Sequence, residues 1–309
     1  IPANLVKAGN NLITVRVLDL WGNGGFTGKP EQMSLEMPGG QATPISLAGE
    51  WKYQASINSA EHPYPPERAD GTPNNPTVLY NGMINPLVPM AIKGAIWYQG
   101  ESNAGYSKYQ DLLTAMITDW RTRFGVGDFS FYIVQLANYM QREAQPADPA
   151  WARLREAQTR TAAKVRNCGL AVAIDIGDAA DIHPKNKQEV GRRLALNALA
   201  LTYGKRIEYA GPTYREMKQE GKSIRLSFDH IAGGLIAKGA DGKLTGFAIA
   251  GADKKFVWAD AVIDGETIIV SSPQVPEPVA VRYAWGNNPD CNLFNKADLP
   301  AGPFRTDSF

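Results

Sequence analysis

Three short runs decide the fold: Lys93–Gly100 (KGAIWYQG), Phe129–Asn138 (FSFYIVQLAN) and Gly169–Asp178 (GLAVAIDIGD). Each is continuously apolar rather than alternating, the pattern of a strand buried on both faces. Between the first two lies Tyr106–Gly125 (YSKYQDLLTAMITDWRTRFG), where Leu112, Leu113, Met116, Ile117 and Trp120 fall at helical spacing and Gly125 supplies a stop. Ala150–Val165 (AWARLREAQTRTAAKV) is a second helical segment. The third, Pro184–Gly204, has Pro184 suited to a first helical turn, Val190, Leu194, Ala198 and Leu201 on one face, and Gly204 at its end. Strand, helix, strand, helix, strand, helix predicts a parallel sheet covered on both faces.

Upstream, Asn11–Leu18 and its neighbours (NNLITVRVLD) would form a strand with Ile13, Val15 and Val17 on one face. Residues 21–28 (WGNGGFTG) read as a polar loop, 32–40 (QMSLEMPGG) as a strand and turn, and 46–54 (SLAGEWKYQ) as another strand. So little precedes the first strand that its sheet is expected to be incomplete. The first residue is Ile1 and no signal-like block follows, so the chain is expected to start inside a longer protein. Pro63, Pro65, Pro66, Pro73 and Pro76 mark an extended linker. After about Glu208 the helical spacing stops. The runs 222–229, 242–251, 256–272 and 279–285 read as strands with glycine and Asp-Gly turns, a small all-β domain.

At 309 residues the chain can hold two or three cores. With 32 Lys plus Arg against 31 Asp plus Glu there is no basic excess for nucleic acid or an anionic membrane. No apolar run is long enough to span a bilayer. Cys168 and Cys291 are too few and too far apart for a disulfide framework or a thiolate zinc site and are expected to be buried or partly buried thiols.

In open α/β sheets reactive groups gather at the carboxyl ends of strands. His183 follows the third run, with Asp181 two positions before it. In an extended segment the two side chains project to the same side, and Pro184 favours that backbone at His183. An Asp that orients a His that moves a proton is the acid-base half of a serine-hydrolase triad. His62 and His230 have no comparable partner in the sequence and are expected to be bystanders. Ser102, in Gly100–Ala104, loosely fits a nucleophile elbow. Gln99, Gly100, Glu101 and Asn103 around it fit an oxyanion-holding loop equally well. Asp175, Asp178 and Asp181 are spaced by three, but Gly177 and the strand-end position argue against a helix that would gather them on a hard cation.

Three long ordered stretches, Leu79–Ala104, Asp181–Ala195 and Arg282–Asp307, closely resemble the sialate O-acetylesterases, a branch of the SGNH hydrolases. The resemblance implies a flavodoxin-like core in which Ser, Asp and His remove acetyl groups from sugar hydroxyls without metal or other cofactor. It implies part of an inserted β-sandwich and connecting strands over 1–60, the C-terminal part of the SGNH α/β domain over 61–207, and a small β domain over 208–309. It implies Asp181 and His183 as the acid-base pair, and an oxyanion and substrate loop comprising Gln99, Gly100, Glu101 and Asn103. The family's G-Q-S-N segment, which holds the nucleophile, does not occur in these residues, so the resemblance implies an upstream serine and a chain inactive by itself. The parallel sheet would then be incomplete, its Lys93–Gly100 strand an exposed edge covered by the N-terminal portion of the same protein or by another copy. The substrate would be acetylated sialic acid or another acetylated glycan, and the compartment periplasmic, secreted or lysosome-like. Two alternatives stay open on the residues alone: Ser102 as nucleophile, or a glycan-binding fragment without turnover.

Overall fold

The computed structural model describes residues 5–15, 17, 26, 28–36, 43–54, 75–239 and 241–309. Most of the 21–28 loop, His62, and the linker prolines up to Pro73 lie outside the described residues. The chain divides into two compact units, Ile1–Val78 and Leu79–Phe309.

In the first unit the described residues hold one antiparallel pair, β1 (Ser34–Leu35) and β2 (Ile45–Ser46). The strand expected around Ile13, Val15 and Val17 is not formed: residues 11–15 and 17 carry no ladder, and Val15 and Val17 are exposed. Alternation alone does not make a strand where no neighbour among the described residues accepts its hydrogen bonds. For the same reason only Ile45–Ser46 of the segment around SLAGEWKYQ is extended and paired.

The second unit begins with short turns over Tyr80–Ile84 and Asn85–Leu87. Its parallel sheet is β3 (Gly94–Trp97), β4 (Ser130–Val134) and β5 (Cys168–Ala171), in the order β3-β4-β5. Trp97 lies opposite Ile133, and Val134 opposite Ala171, so the three strands end nearly level. The pleat sends alternate side chains of β4 to opposite faces. Phe131 and Ile133 pack with α1 (Tyr109–Phe124) and α2 (Ala150–Lys164), whereas Tyr132 and Val134 pack with α3 (Lys187–Asn197). Burying each such side chain stabilises the fold by about 1.5–3 kcal/mol. Gly125 caps α1 with φ of 64°, as its position after the last apolar residue requires.

Two expectations need correction here. First, β3 is not buried on both faces: it has a single neighbour among the described residues, and Ile96 is 69% exposed. Second, α3 begins at Lys187, capped by Asn186 accepting from the Glu189 N–H, so Pro184 lies ahead of the helix. After Asn197 the chain widens into a π-helical turn, Ala198–Thr202, which rotates Leu201 off the buried face and leaves it exposed.

The remaining strands are β6 (Thr213–Glu220), β7 (Ser223–Asp229), β8 (Leu235–Ala237), β9 (Phe247–Ala250), β10 (Phe256–Trp258), β11 (Asp260–Asp264), β12 (Thr267–Ser271), β13 (Ala280–Tyr283), β14 (Leu293–Asn295) and β15 (Phe304–Arg305). They form two four-stranded antiparallel sheets, β10-β9-β13-β15 and β11-β12-β7-β6, with β14-β8 as a small pair. Both larger sheets feed one core containing Leu226, Ile249, Ile268 and Val281. The polar strand β6 has no apolar alternation; it is recruited as an edge by pairing with β7.

Candidate active site

The loop leaving β3 is fixed from behind. Gly100 has φ of 151°, a region that disfavours any residue with a Cβ. A Cβ there would also lie 2.8 Å from Leu154 Cδ2 and 3.3 Å from the Tyr109 hydroxyl. The Gln99 carbonyl accepts from the Tyr109 hydroxyl at 3.0 Å and from Gln158 Nε2 at 3.1 Å. Gln158 is fully buried on α2, and its Oε1 accepts the Leu136 N–H at 3.0 Å, so one amide ties the ends of β3 and β4 together. The Gln99 side chain is consumed internally: Nε2 donates to Asn103 Oδ1 at 2.7 Å and Oε1 accepts from Tyr109. That leaves Asn103 Nδ2 without a hydrogen bond among the described residues. Glu101–Asn103 form a single 3-10 turn closed by the Asn103 N–H on the Gly100 carbonyl. Ser102 sits exposed in that turn, and the positive φ belongs to Gly100 and not to Ser102, so Ser102 does not occupy the strained corner of a nucleophile elbow. Its hydroxyl has no hydrogen bond among the described residues. The neighbouring Tyr98 hydroxyl is pushed up to about 12, by burial first and by the Glu101 charge second.

The loop after β5 separates the three aspartates. Asp175 forms a two-pronged ion pair with Arg193, at 2.6 and 2.8 Å, inside the fold. Asp178 caps the Ala180 N–H and Asp181 caps the His183 N–H, each at 2.9 Å. They do not converge on a cation, and no group of metal-ligating side chains is found among the described residues. The expected extended geometry of 181–183 is replaced by a bend, because the carboxylate closes a turn on the backbone two residues ahead. The His183 ring remains beside it, with Nδ1 3.7 Å from Asp181 Oδ1, beyond hydrogen-bonding distance. The His183 side chain is 88% exposed and that of Asp181 38%. Ile182, between them, packs into the core that includes Trp97 and Leu136, so the loop is pinned by its middle residue while its neighbours face outward. Lys187, in the first turn of α3, places Nζ 4.7 Å from the centre of the Tyr98 ring, bringing this segment against the β3 loop.

His230 is not partnerless, contrary to expectation. Its Nδ1 lies 2.8 Å from Glu208 Oε1, its ring packs edge-on against Tyr209, and its carbonyl accepts from Asn295 Nδ2. The partner is 22 residues upstream, and no local pattern announces it.

Sequence reasoning also missed Arg155. It is fully buried on α2, and its guanidinium donates to the carbonyls of Leu136, Ala137, Gly286 and Asn287 at 2.7–3.0 Å. Burial pulls it down to about 9, so it remains a cation at neutral pH. An arginine inside an amphipathic pattern reads as surface, and only the carbonyls converging on it reveal otherwise. Both thiols are partly buried, with Cys291 pushed up to about 12 by burial, which keeps it protonated.

The family model described as "Carbohydrate esterase, sialic acid-specific acetylesterase" matches residues 71–200, a span that holds all three parallel strands and both loops just described. The sialate O-acetylesterase of Mus musculus is 33% identical over 262 residues, 75% of this chain and 47% of that protein. The Homo sapiens protein of the same name is 32% identical over 261 residues, 75% of this chain and 49% of its own length. Over the matched stretch the chain belongs to the sialate O-acetylesterase family. The crystal structure of a carbohydrate acetylesterase from Xanthomonas citri superposes with a TM-score of 0.71 at 46% identity, covering 76% of this chain and 55% of that one. The chain thus spans about half the length of the sialate O-acetylesterases it matches. The mixed α/β architecture, one parallel sheet with several antiparallel ones, is consistent with the fold of that acetylesterase. No helix among the described residues is long and apolar enough to cross a membrane.

Proposed function

We propose that this chain carries the acid-base half of a carbohydrate O-acetylesterase that removes O-acetyl groups from sialic acid or a related acetylated glycan, without metal or cofactor. The reading takes the α/β layer as the C-terminal part of a flavodoxin-like SGNH hydrolase domain over 61–207, preceded by the end of an inserted sandwich over 1–60 and followed by a β domain over 208–309. One observation carries it most: the 99–103 and 181–183 loops both leave the carboxyl end of one parallel sheet, in a chain 32–33% identical to sialate O-acetylesterases.

In this mechanism a serine hydroxyl supplied from outside these 309 residues attacks the acetyl carbonyl while His183 takes its proton. The tetrahedral oxyanion accepts hydrogen bonds from the Gly100 N–H and Asn103 Nδ2, Gln99 fixes the Asn103 amide, and Glu101 faces the sugar. His183 then protonates the departing sugar oxygen, and water, deprotonated by the same ring, releases acetate. Asp181 faces the imidazolium; the 3.7 Å separation tightens in the substrate complex. The free edge of β3, where Ile96 is exposed, is covered in the same reading by a strand of the N-terminal portion of the protein or by another copy. The working compartment is periplasmic, secreted or lysosome-like.

Acetate release from O-acetylated sialic acid and from p-nitrophenyl acetate tests this. The full gene product is expected to turn over both, with a serine-directed probe labelling a residue outside the 309, while the 309 residues alone are nearly inert. Rapid, saturable hydrolysis by the 309 residues with labelling of Ser102 would overturn it.

A further inference from the structure

The stretch Trp285–Pro289 (WGNNP) belongs to the β part of the chain, yet its polar groups point into the strand-end loops. Asn288 is buried. Its Oδ1 accepts from Asn138 Nδ2 at 2.8 Å, and its Nδ2 donates to the Met140 carbonyl at 2.9 Å. Asn138 in turn accepts the Gly177 N–H on Oδ1 at 2.7 Å. Met140 donates its own N–H to the Ala179 carbonyl at 3.1 Å. Two parallel bridges therefore run from Asn288 into residues 177–179, immediately before Asp181 and His183.

The contact is built with little slack. A Cβ on Gly177 would stand 2.1 Å from the Asn138 carbonyl oxygen, so the two loops touch backbone to backbone. Met140 holds a left-handed φ of 72°, an unfavourable conformation for a long side chain. Both peptide groups flanking its Cα are engaged, one by Ala179 and one by Asn288, which is what such a conformation needs to persist. Behind them Arg155 donates to the carbonyls of Gly286 and Asn287, and the Tyr139 N–H donates to Asn287 at 3.2 Å, fixing the stretch that presents Asn288.

We propose that Asn288, delivered by the β part, is a positioning residue for the Asp181–His183 loop, acting through Asn138 and Met140. The inference rests on the reading that His183 moves the proton. It gives the β domain a task in the reaction: without Asn288 the Asn138 amide keeps only Gly177 as a partner and the Met140 carbonyl loses its donor, so both tethers of the 177–183 segment lose their support.

Asn288→Ala and Asn138→Asp test it, the second keeping the acceptor for Gly177 while removing the donor to Asn288. In the 309-residue chain, Asn288→Ala is expected to speed amide exchange of Gly177 by about tenfold, the size of one lost hydrogen bond, with β9 and β13 unaffected. In the full gene product both variants are expected to lower kcat by about 10- to 100-fold at nearly constant KM, because bound substrate meets a misplaced histidine. Unchanged exchange at Gly177, or unchanged kcat in an active enzyme, overturns the proposal. If the unsubstituted enzyme hydrolyses no acetylated sugar, the functional reading falls, and the exchange measurement alone decides whether Asn288 holds the loop.

Discussion

Two histidines among the described residues stand beside a carboxylate, and they are built in opposite ways. His230 is held tightly: 2.8 Å to Glu208, ring against Tyr209, backbone gripped by Asn295. His183 is held loosely at its ring and tightly at its backbone, with Asp181 spent on the N–H and the imidazole 88% exposed. Hydrogen-bond quality in the resting protein would select His230 as the working residue. In the proposed mechanism the working residue is His183, which follows a strand end of the parallel sheet and whose ring makes no hydrogen bond among the described residues. A fully satisfied pair serves stability and has little left to offer a substrate, whereas under the proposed mechanism the group that exchanges a proton stays open and is anchored through its neighbours, here Ile182 and the tethers on residues 177–179.

The largest test of that contrast is activity. In the full gene product His183→Ala is expected to lower kcat/KM for acetyl ester hydrolysis by about 10²–10⁴-fold, and to leave the denaturation midpoint nearly unchanged because the ring is exposed. His230→Ala should leave kcat/KM within about twofold, since it touches neither strand-end loop. Equal losses of activity from both substitutions would erase the distinction.

The 99–103 loop supplies the next test. Gly100→Ala forces a Cβ to 2.8 Å from Leu154 Cδ2 in a backbone region hostile to side chains. A loss of about 1–3 kcal/mol on denaturant unfolding is expected from the overpacking alone. The turn that presents Asn103 should shift with it, so activity falls more than stability. A fully stable, fully active Gly100→Ala would show that this loop is not preset by α2.

These tests touch residues that differ in how far they could be read before any fold was known. The parallel sheet was legible because the apolar runs around Ile96, Ile133 and Ala171 are short, continuous and separated by helical periodicity. The exposure of Ile96 contradicts the simple rule for such runs; that a strand stands at an edge depends on what pairs with it, which is not written in the strand. Ile13, Val15 and Val17 show the converse, an alternating pattern with no ladder among the described residues. At the candidate site, residue types at strand ends pointed to Asp181, His183 and the Gln99–Asn103 loop. Neither Arg155 nor Asn288 could be found that way, because each acts on carbonyls or amides that only the folded chain gathers, Asn288 from 150 positions beyond Asn138. Long-range polar networks leave no periodic trace in a sequence.

The smallest expected effect concerns the tight pair itself. Glu208 and His230 join the segment leaving the α/β layer to the turn after β7, and both side chains are largely shielded from water. Replacing His230 by Ala removes one hydrogen bond and leaves a partly buried carboxylate without its ring partner, a loss of about 1 kcal/mol in unfolding free energy. His230 also has a left-handed φ of 55°, which alanine tolerates less well than asparagine. His230→Asn should therefore be the milder change, keeping a donor near Glu208 and a residue suited to the backbone. If His230→Ala and His230→Asn unfold at the same denaturant concentration as the parent chain, the 2.8 Å contact contributes nothing to stability, and the structural role assigned to this half of the comparison fails.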